Sequence, residues 1–150
     1  MIAADILNKA KKYCSYQERS QQELRDKLYS LGLHKSEVEE AIALLITEGF
    51  LNEERFAIAY AGGKFRIKRW GKIKIKQGLK LKKVSDYCIH KALQAIPDND
   101  YNQTLTELTD KYRKKIKESN PIKKNQLLAR QLISCGYEPE LVWQYIQKEG

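Results

Sequence analysis

The sequence predicts an all-α protein built from three tandem three-helix repeats, each resembling a helix-turn-helix. Three observations support this fold class. The chain of 150 residues contains only three prolines, which leaves room for long helices. Apolar residues recur at helical spacing along much of the chain. The same apolar pattern also returns twice at nearly constant intervals, as expected of a repeat protein.

The repeat is clearest in residues 24–46, where apolar positions flank a turn glycine. The pattern reappears after a shift of 51 residues and, more loosely, after a further 53. Gly32 and Gly136 occupy the turn in the first and third copies, whereas Lys83 occupies it in the middle copy. The matching apolar positions are Leu24, Leu28, Leu33, Val38, Ile42 and Leu45; Ile75, Leu79, Val84, Ile89, Leu93 and Ile96; and Leu128, Leu132, Tyr137, Val142 and Ile146.

Local signals place the boundaries of the paired helices. The stretches beginning at Ser20 and Ser36 fit the capping box, so helices are expected to start near these residues. Gly32 and Gly49 suit the left-handed residue that ends a helix. Pro139 suits the first turn of the last helix.

A further helix is expected before each pair, over residues 4–15, 53–67 and 101–117. Loops are expected at residues 98–100 and 119–121. One such unit buries too little apolar surface to be robust alone, so stacked units would share a core. The predicted units are residues 1–50, 51–98 and 99–150.

Residues 72–83 also fit a second interpretation. Their Lys and apolar residues alternate with period two around Gln77 and Gly78, which is typical of a β-hairpin. Gly78 inside a helix would cost about 1 kcal/mol relative to alanine. We favour the helix, because Ile75 and Leu79 fall on the repeat positions of Leu24 and Leu28.

The charge is concentrated in residues 64–83, here called the basic segment. The chain has 28 Lys and Arg against 19 Asp and Glu, for a net charge of +9. The basic segment holds ten basic residues and no acid. The rest of the chain is nearly neutral, which points to a polyanionic partner.

Several classes of protein are not expected. No apolar run is long enough to span a bilayer, and no secretory signal is visible. The cysteines Cys14, Cys88 and Cys135 are far apart, which favours buried reduced thiols in the cytoplasm and no metal site. Residues 62–64 lack the flanks of a phosphate-binding loop. No nucleophile and base pair stands out, so neither an enzyme nor a cofactor is expected.

The basic segment fits contact with nucleic acid or with an acidic protein groove. Lysine and arginine neutralise phosphates, and interleaved aromatics such as Phe65 and Trp70 can stack on exposed bases. Trp70 fits a core position equally well. The candidate contact residues are Lys64, Arg66, Lys68, Arg69, Lys72, Lys74 and Lys76.

The residues that carry the repeat also resemble a known family, the RecX regulatory proteins. The similar stretches are residues 7–32, 49–60 and 70–79, and the resemblance is strong over residues 5–96. The first family pattern is matched by Arg19, Ser20, Glu23, Leu24, Lys27, Leu28 and Gly32. The second is matched by Gly49, Phe50, Leu51, Asn52, Arg55, Phe56 and Ala57, and Trp70 and Gly71 follow. Lys83 departs from the glycine of the family pattern.

The resemblance implies an elongated, curved monomer of tandem three-helix repeats with a non-enzymatic role. It implies binding to the RecA recombinase and its DNA filament, in homologous recombination, DNA repair and the SOS response. Such binding would restrain ATP hydrolysis, strand exchange and co-protease activity. We therefore expect a concave face to present the candidate contact residues to acidic RecA surface and to single- or double-stranded DNA.

Two other functions fit the sequence less well. A helix-turn-helix DNA regulator would need a recognition helix that reaches base edges, and usually dimer symmetry. The basic residues here are mostly lysines in one copy, which suits contact with the phosphate backbone. A scaffold that binds an acidic protein without DNA is the second alternative.

Overall fold

A computed structural model describes residues 2–149, and every regular element in that range is an α-helix. This confirms the all-α prediction. The hairpin interpretation of residues 72–83 is wrong, because Lys72–Leu81 is helical. The helices of the described residues are α1 (Ala4–Tyr16), α2 (Gln21–Ser30), α3 (Lys35–Thr47), α4 (Glu53–Lys68), α5 (Lys72–Leu81), α6 (Asp86–Gln94), α7 (Asp98–Lys115), α8 (Pro121–Ser134) and α9 (Pro139–Glu149).

The same backbone turn ends α2, α5 and α8. In each, a backbone N–H after the turn donates to the carbonyl five residues earlier, and the residue just before this donor has a positive φ angle. This is the Schellman arrangement, which satisfies carbonyls at a helix end. The pairs are Leu33 to Leu28 at 3.3 Å, Val84 to Leu79 at 3.2 Å and Tyr137 to Leu132 at 3.4 Å. They fall on the repeat positions expected from the sequence.

Lys83 takes the left-handed conformation of the glycines at the matching repeat positions. Its φ is +60°, beside +93° at Gly32 and +102° at Gly136. A side chain in this conformation costs about 1–2 kcal/mol. The middle turn therefore keeps the geometry of the other two although it lacks their glycine.

Two helix starts differ from the sequence prediction. Helix α7 begins at Asp98 rather than 101, so residues 98–100 are not a loop. The acidic residues in its first turn stabilise this start, because they lie at the positive end of the helix dipole. Helix α3 is capped at His34, whose N–H donates to the Glu37 carboxylate at 3.1 Å, and not at Ser36. Ser20 does form the predicted capping box, through reciprocal hydrogen bonds with Glu23.

The helices form two compact units. The first consists of the residues up to Tyr60 together with Leu79–Ala92, and the second of Ala61–Gly78 together with the residues from 93 onward. Helices α4 and α5 contribute residues to both units. The division into residues 1–50, 51–98 and 99–150 stays a prediction based on the repeat.

Each unit has its own apolar core. The first buries the repeat positions of α2 and α3 together with Ala10 and Cys14 of α1 and Leu51. The second buries residues of α7, α8 and α9, and its fully buried side chains include Tyr137, Leu105, Leu128, Leu132 and Ile146. Apolar spacing in the sequence therefore identified core residues of both units.

Replacing Lys83 with glycine should stabilise the protein. Glycine relieves the left-handed backbone but loses entropy on folding, which leaves a net gain of about 0.5–1 kcal/mol. Lys80→Gly is the matched control, since Lys80 is an exposed residue within α5, and it should cost about 1 kcal/mol. Urea unfolding compares the two. Equal destabilisation by both substitutions would contradict the strain at Lys83.

Candidate polyanion-binding face

The candidate contact residues lie together in the second unit. They line the C-terminal end of α4, the loop after it and the first two turns of α5. We call this set the basic corner; it comprises Lys64, Arg66, Lys68, Arg69, Lys72, Lys74 and Lys76. The remaining cations of the basic segment, Lys80, Lys82 and Lys83, belong to the first unit, where Lys82 pairs with Glu23 at 3.6 Å.

Backbone contact holds the basic corner's loop against the turn between α8 and α9. The Gly71 N–H donates to the Cys135 carbonyl at 2.9 Å, and the Ile73 N–H donates to the Gly136 carbonyl at 2.9 Å. A Cβ on Gly71 would lie 2.3 Å from the Gly136 carbonyl carbon. A Cβ on Gly136 would lie 2.4 Å from that of Lys74. Only glycine fits at both positions.

Two buried tyrosines complete this anchor. The Tyr101 hydroxyl accepts the Lys72 N–H at 2.9 Å and donates to the Glu138 carboxylate. The Tyr137 hydroxyl donates to the Arg69 carbonyl at 3.0 Å. Their ring centroids are 5.2 Å apart. The loop that carries Arg69 and Lys72 is therefore tied at both ends to α7 and to the start of α9.

Burial raises the pKa of both tyrosines well above the usual value, and for Tyr101 the hydrogen bond to Glu138 raises the pKa further. Both hydroxyls therefore stay protonated at neutral pH. Tyr137 can donate to the Arg69 carbonyl only in this form. The anchor is thus intact throughout the physiological pH range.

Aromatic rings hold three of the ammonium groups in place. The Nζ atoms of Lys64 and Lys74 lie 5.0 and 4.8 Å from the centroid of the half-buried Trp70 ring. The Nζ of Lys72 lies 4.7 Å from the Tyr101 centroid. Each such contact contributes about 0.5–1 kcal/mol at exposed sites. Each of these three ammonium groups therefore has an aromatic partner within the second unit.

The other members of the basic corner are more open. Arg66, Lys68 and Lys76 are exposed. Arg69 is also exposed, but it forms an ion pair with Glu107 at 3.0 Å. Exposed pairs of this kind contribute only about 0–1 kcal/mol, so a polyanion can compete for Arg69.

The charges near the start of α5 oppose helix stability. Its first turn contains Lys72 and Lys74 and no acid. The N-terminus of a helix carries partial positive charge, and cations there are unfavourable. Helix stability therefore does not explain the position of these lysines, whereas contact with an anion would.

Phe65 does not belong to this surface. It is buried, and its ring centroid lies 5.8 Å from that of Tyr101, so the expectation that it could stack on a base is wrong. The anchoring roles of Tyr101 and Glu138 were not predicted, because no local sequence pattern indicates them. Gly136 and Tyr137 were assigned only to the repeat.

The motif residues of the first unit support the scaffold. Ser20 and Glu23 cap α2, and Leu24 is buried beneath them. Arg19 donates from Nε to the Tyr13 carbonyl at 2.9 Å. These roles are structural.

The second motif ties the start of α4 to its neighbours. The Asn52 side chain accepts the Arg55 N–H at 2.8 Å, which caps the helix. The Arg55 side chain donates to Glu18 at 2.7 Å and to the Gly49 carbonyl at 3.1 Å. Phe56 is buried, with its ring 5.9 Å from that of Tyr60.

Residues 2–149 contain no metal cluster and no membrane-spanning helix. No cluster of His, Cys, Asp and Glu among them could hold a metal ion. No helix in that range is long and apolar enough to cross a bilayer. All three cysteines are free thiols; Cys14 and Cys88 are buried as expected, whereas Cys135 is only partly buried.

Two family models match consecutive parts of this chain. The first three-helix domain of RecX matches residues 7–45, and the second three-helix domain of RecX matches residues 52–93. The chain belongs to the RecX family. The resemblance seen in the sequence is thereby confirmed.

Individual relatives agree. Regulatory protein RecX of Clostridium perfringens (strain 13 / Type A) is 36% identical over 122 residues, which cover 80% of this chain and 57% of the relative. Regulatory protein RecX of Bacillus licheniformis is 27% identical over 140 residues, covering 93% and 53%. This chain thus spans about half the length of these relatives. Both relatives are named as regulatory proteins.

Two solved structures share the fold. A crystal structure of RecX from Lactobacillus salivarius matches with a TM-score of 0.85 at 25% identity, covering 97% of each chain. A crystal structure of regulatory protein RecX matches with a TM-score of 0.83 at 21% identity, covering 97% of this chain and 73% of that one. The all-α repeat fold is therefore that of RecX.

Gly71→Ala should destabilise the protein by about 3 kcal/mol, the upper part of the range for overpacking, because the added methyl would meet the Gly136 backbone. Gly63→Ala is the matched control. It lies within α4 and faces open space, so it should stabilise by about 1 kcal/mol. Thermal unfolding by circular dichroism measures both. Similar effects of the two substitutions would argue against the close contact.

The raised pKa of the buried tyrosines makes stability fall at alkaline pH. The pKa of each tyrosine is higher in the folded protein than in the unfolded chain. The contribution of these hydroxyls to the free energy of unfolding is therefore complete below about pH 10, and it is lost above that pH as the tyrosines of the unfolded chain ionise. Between pH 9 and 11, the free energy of unfolding should therefore fall by about 1.4 kcal/mol less in Tyr101→Phe than in the unaltered chain. Tyr87→Phe, at an exposed position, should follow the unaltered chain. Urea unfolding at both pH values measures this change. An equal loss of stability in Tyr101→Phe and in the unaltered chain would refute the effect.

Proposed function

We propose that this chain binds the RecA recombinase and its DNA filament in the cytoplasm, and that it restrains RecA's ATP hydrolysis, strand exchange and co-protease activity. The basic corner is the contact surface. The observation that carries the proposal is the gathering of seven cations from α4, its following loop and α5 in a member of the RecX family. The role is regulatory binding, with no catalytic step of its own.

The chemistry of the basic corner supports this partner. A recombinase filament offers acidic protein surface and DNA phosphate side by side. Arg66 and Arg69 suit carboxylate or phosphate, since a guanidinium can donate two parallel hydrogen bonds. The lysines supply point charges that suit any backbone phosphate. Binding would therefore depend little on base sequence.

The rigid anchor also supports tight binding. Ordering a long side chain at an interface costs about 0.5–1.5 kcal/mol. Lys64, Lys72 and Lys74 already lie against aromatic rings, and the loop backbone is fixed by Gly71. Binding therefore requires less further ordering of these side chains and of the loop.

The deciding experiment is a RecA ATPase assay on single-stranded DNA with this protein titrated in. The proposal expects ATP hydrolysis to fall as the protein is added, at protein concentrations comparable with RecA. Undiminished hydrolysis at saturating protein would refute it.

Charge reversal locates the contact surface. The triple variant Arg66→Glu, Lys68→Glu, Lys76→Glu changes only exposed residues, so it should fold normally and lose most of the inhibition of RecA. The matched control reverses Lys35, Lys91 and Lys148, which are exposed residues outside the basic corner, and should inhibit normally. Full inhibition by the first variant would exclude the basic corner as the contact.

Salt dependence separates DNA contact from protein contact. If about five phosphates of single-stranded DNA are neutralised, log K should fall with log salt at a slope near −3.5, from roughly 0.7 per contact. Fluorescence anisotropy with a labelled oligonucleotide measures this slope without RecA. A slope near zero would remove direct DNA contact. Inhibition that persists in that case would assign the basic corner to acidic RecA surface.

A further inference from the structure

A second group of cations and aromatics lies on the first unit, apart from the basic corner in sequence. A groove there is lined by one face of α1, by the residue before α2's cap and by α2 itself. Four of its residues are spaced i, i+3, i+4 and i+7 along α1, so they share one side of that helix. The lining residues are Lys9, Lys12, Tyr13, Tyr16, Arg19 and Lys27.

The aromatic part of the groove is partly fixed and partly open. Arg19 donates from Nε to the Tyr13 carbonyl at 2.9 Å, and its guanidinium carbon lies 3.8 Å from the Tyr13 ring centroid. The Nζ of Lys27 lies 5.5 Å from the same centroid. Tyr16, by contrast, is 83% exposed and lies at the C-terminal end of α1. Its ring is the accessible flat surface of the groove, with Arg19 at 5.9 Å from its centroid.

The groove's charge is all of one sign. It is lined by four cations and by no acid, and none of these cations has an ion pair to an acidic side chain within the described residues. The nearby acids have other partners. Glu18 binds Arg55, and Glu23 closes the capping box of Ser20 and pairs with Lys82. Asp26, beside Lys27, accepts a hydrogen bond from the neutral Gln22 side chain at 2.9 Å and has no ion pair within the described residues. Four cations against this one acid leave the groove with a net positive charge.

We propose that this groove binds single-stranded nucleic acid. One base stacks on Tyr16, and the adjoining phosphates contact Lys9, Lys12, Arg19 and Lys27. An exposed aromatic flanked by cations is the arrangement that single strands use, because every base offers a π-face and every nucleotide a charge. A duplex would keep its bases stacked and could not use Tyr16. An acidic protein segment would use the cations but would leave the ring without a partner.

This site does not depend on recombinase binding, and its test contains no RecA. The full chain, labelled with ¹⁵N, is titrated with an eight-residue oligothymidylate and followed by NMR amide shifts. The same titration is repeated with an abasic octanucleotide and with an octaglutamate peptide. The first probe supplies bases and phosphates, the second phosphates alone and the third carboxylates alone.

The groove's amides should shift with oligothymidylate, with an affinity about 5- to 150-fold above that for the abasic strand, the range produced by one stacked base. Tyr16→Ala should remove this advantage, and Tyr16→Phe should keep it. Tyr87→Ala is the matched control, because Tyr87 is 64% exposed in the same unit with one lysine, Lys91, 5.6 Å from its ring centroid. It should leave binding at the groove unchanged.

Three outcomes would overturn the proposal. The first is that amides elsewhere shift while the groove's amides do not, which places the DNA contact outside the groove. The second is that Tyr16→Ala binds as well as the unaltered chain. The third is that octaglutamate binds the groove as tightly as oligothymidylate, which assigns the groove to an acidic protein segment. Failure here leaves the proposed regulation of RecA untouched.

Discussion

The close approach of Gly71 to Gly136 is the constraint on which the second unit's surface depends. Two backbones meet there with no side chain between them, and hydrogen bonds from Gly71 and Ile73 join the facing chains. The contact sets where α4 ends and where α5 begins. Every cation of the basic corner is placed by one of those two helices or by the loop between them.

The two tyrosines fix the orientation of the loop at this contact. A glycine pair alone would hold the loop close to the α8–α9 turn but would leave the chain free to rotate. Tyr101 binds the Lys72 N–H and Tyr137 binds the Arg69 carbonyl, so both sides of Gly71 are fixed. The residues that anchor the basic corner are therefore uncharged apart from Glu138. Substitution of the cations should change binding, whereas substitution of the anchoring residues should change stability.

The sequence predicted the parts of this fold that depend on local pattern. Helical periodicity identified the apolar core, and the repeat aligned Lys83 with the turn positions of Gly32 and Gly136. It did not show whether a lysine would keep the glycine conformation, which the φ of +60° now does. The capping box at Ser20 was equally readable, since its partners are only three residues apart.

What sequence reasoning missed depends on residues that are distant in the chain. Tyr101 bonds to a backbone N–H 29 residues away, and Arg69 pairs with Glu107 38 residues away. Phe65 lies between cations in the sequence, and only the packing of α4 shows that its ring turns inward. No periodicity encodes such contacts. The family resemblance supplied Gly71 as a motif residue but gave no reason for it, whereas the backbone of Gly136 does.

The sharing of α4 and α5 between the two units bears on how a shortened chain would fold. A fragment that stops at a repeat boundary, such as residue 50, would lack Leu79–Ala92, which pack in the first unit with residues that precede Tyr60. Such a fragment would nevertheless keep nearly all of the apolar cluster of α1, α2 and α3, which lies within residues 2–51. A cut inside α4 or α5 would instead divide a helix whose residues belong to both units.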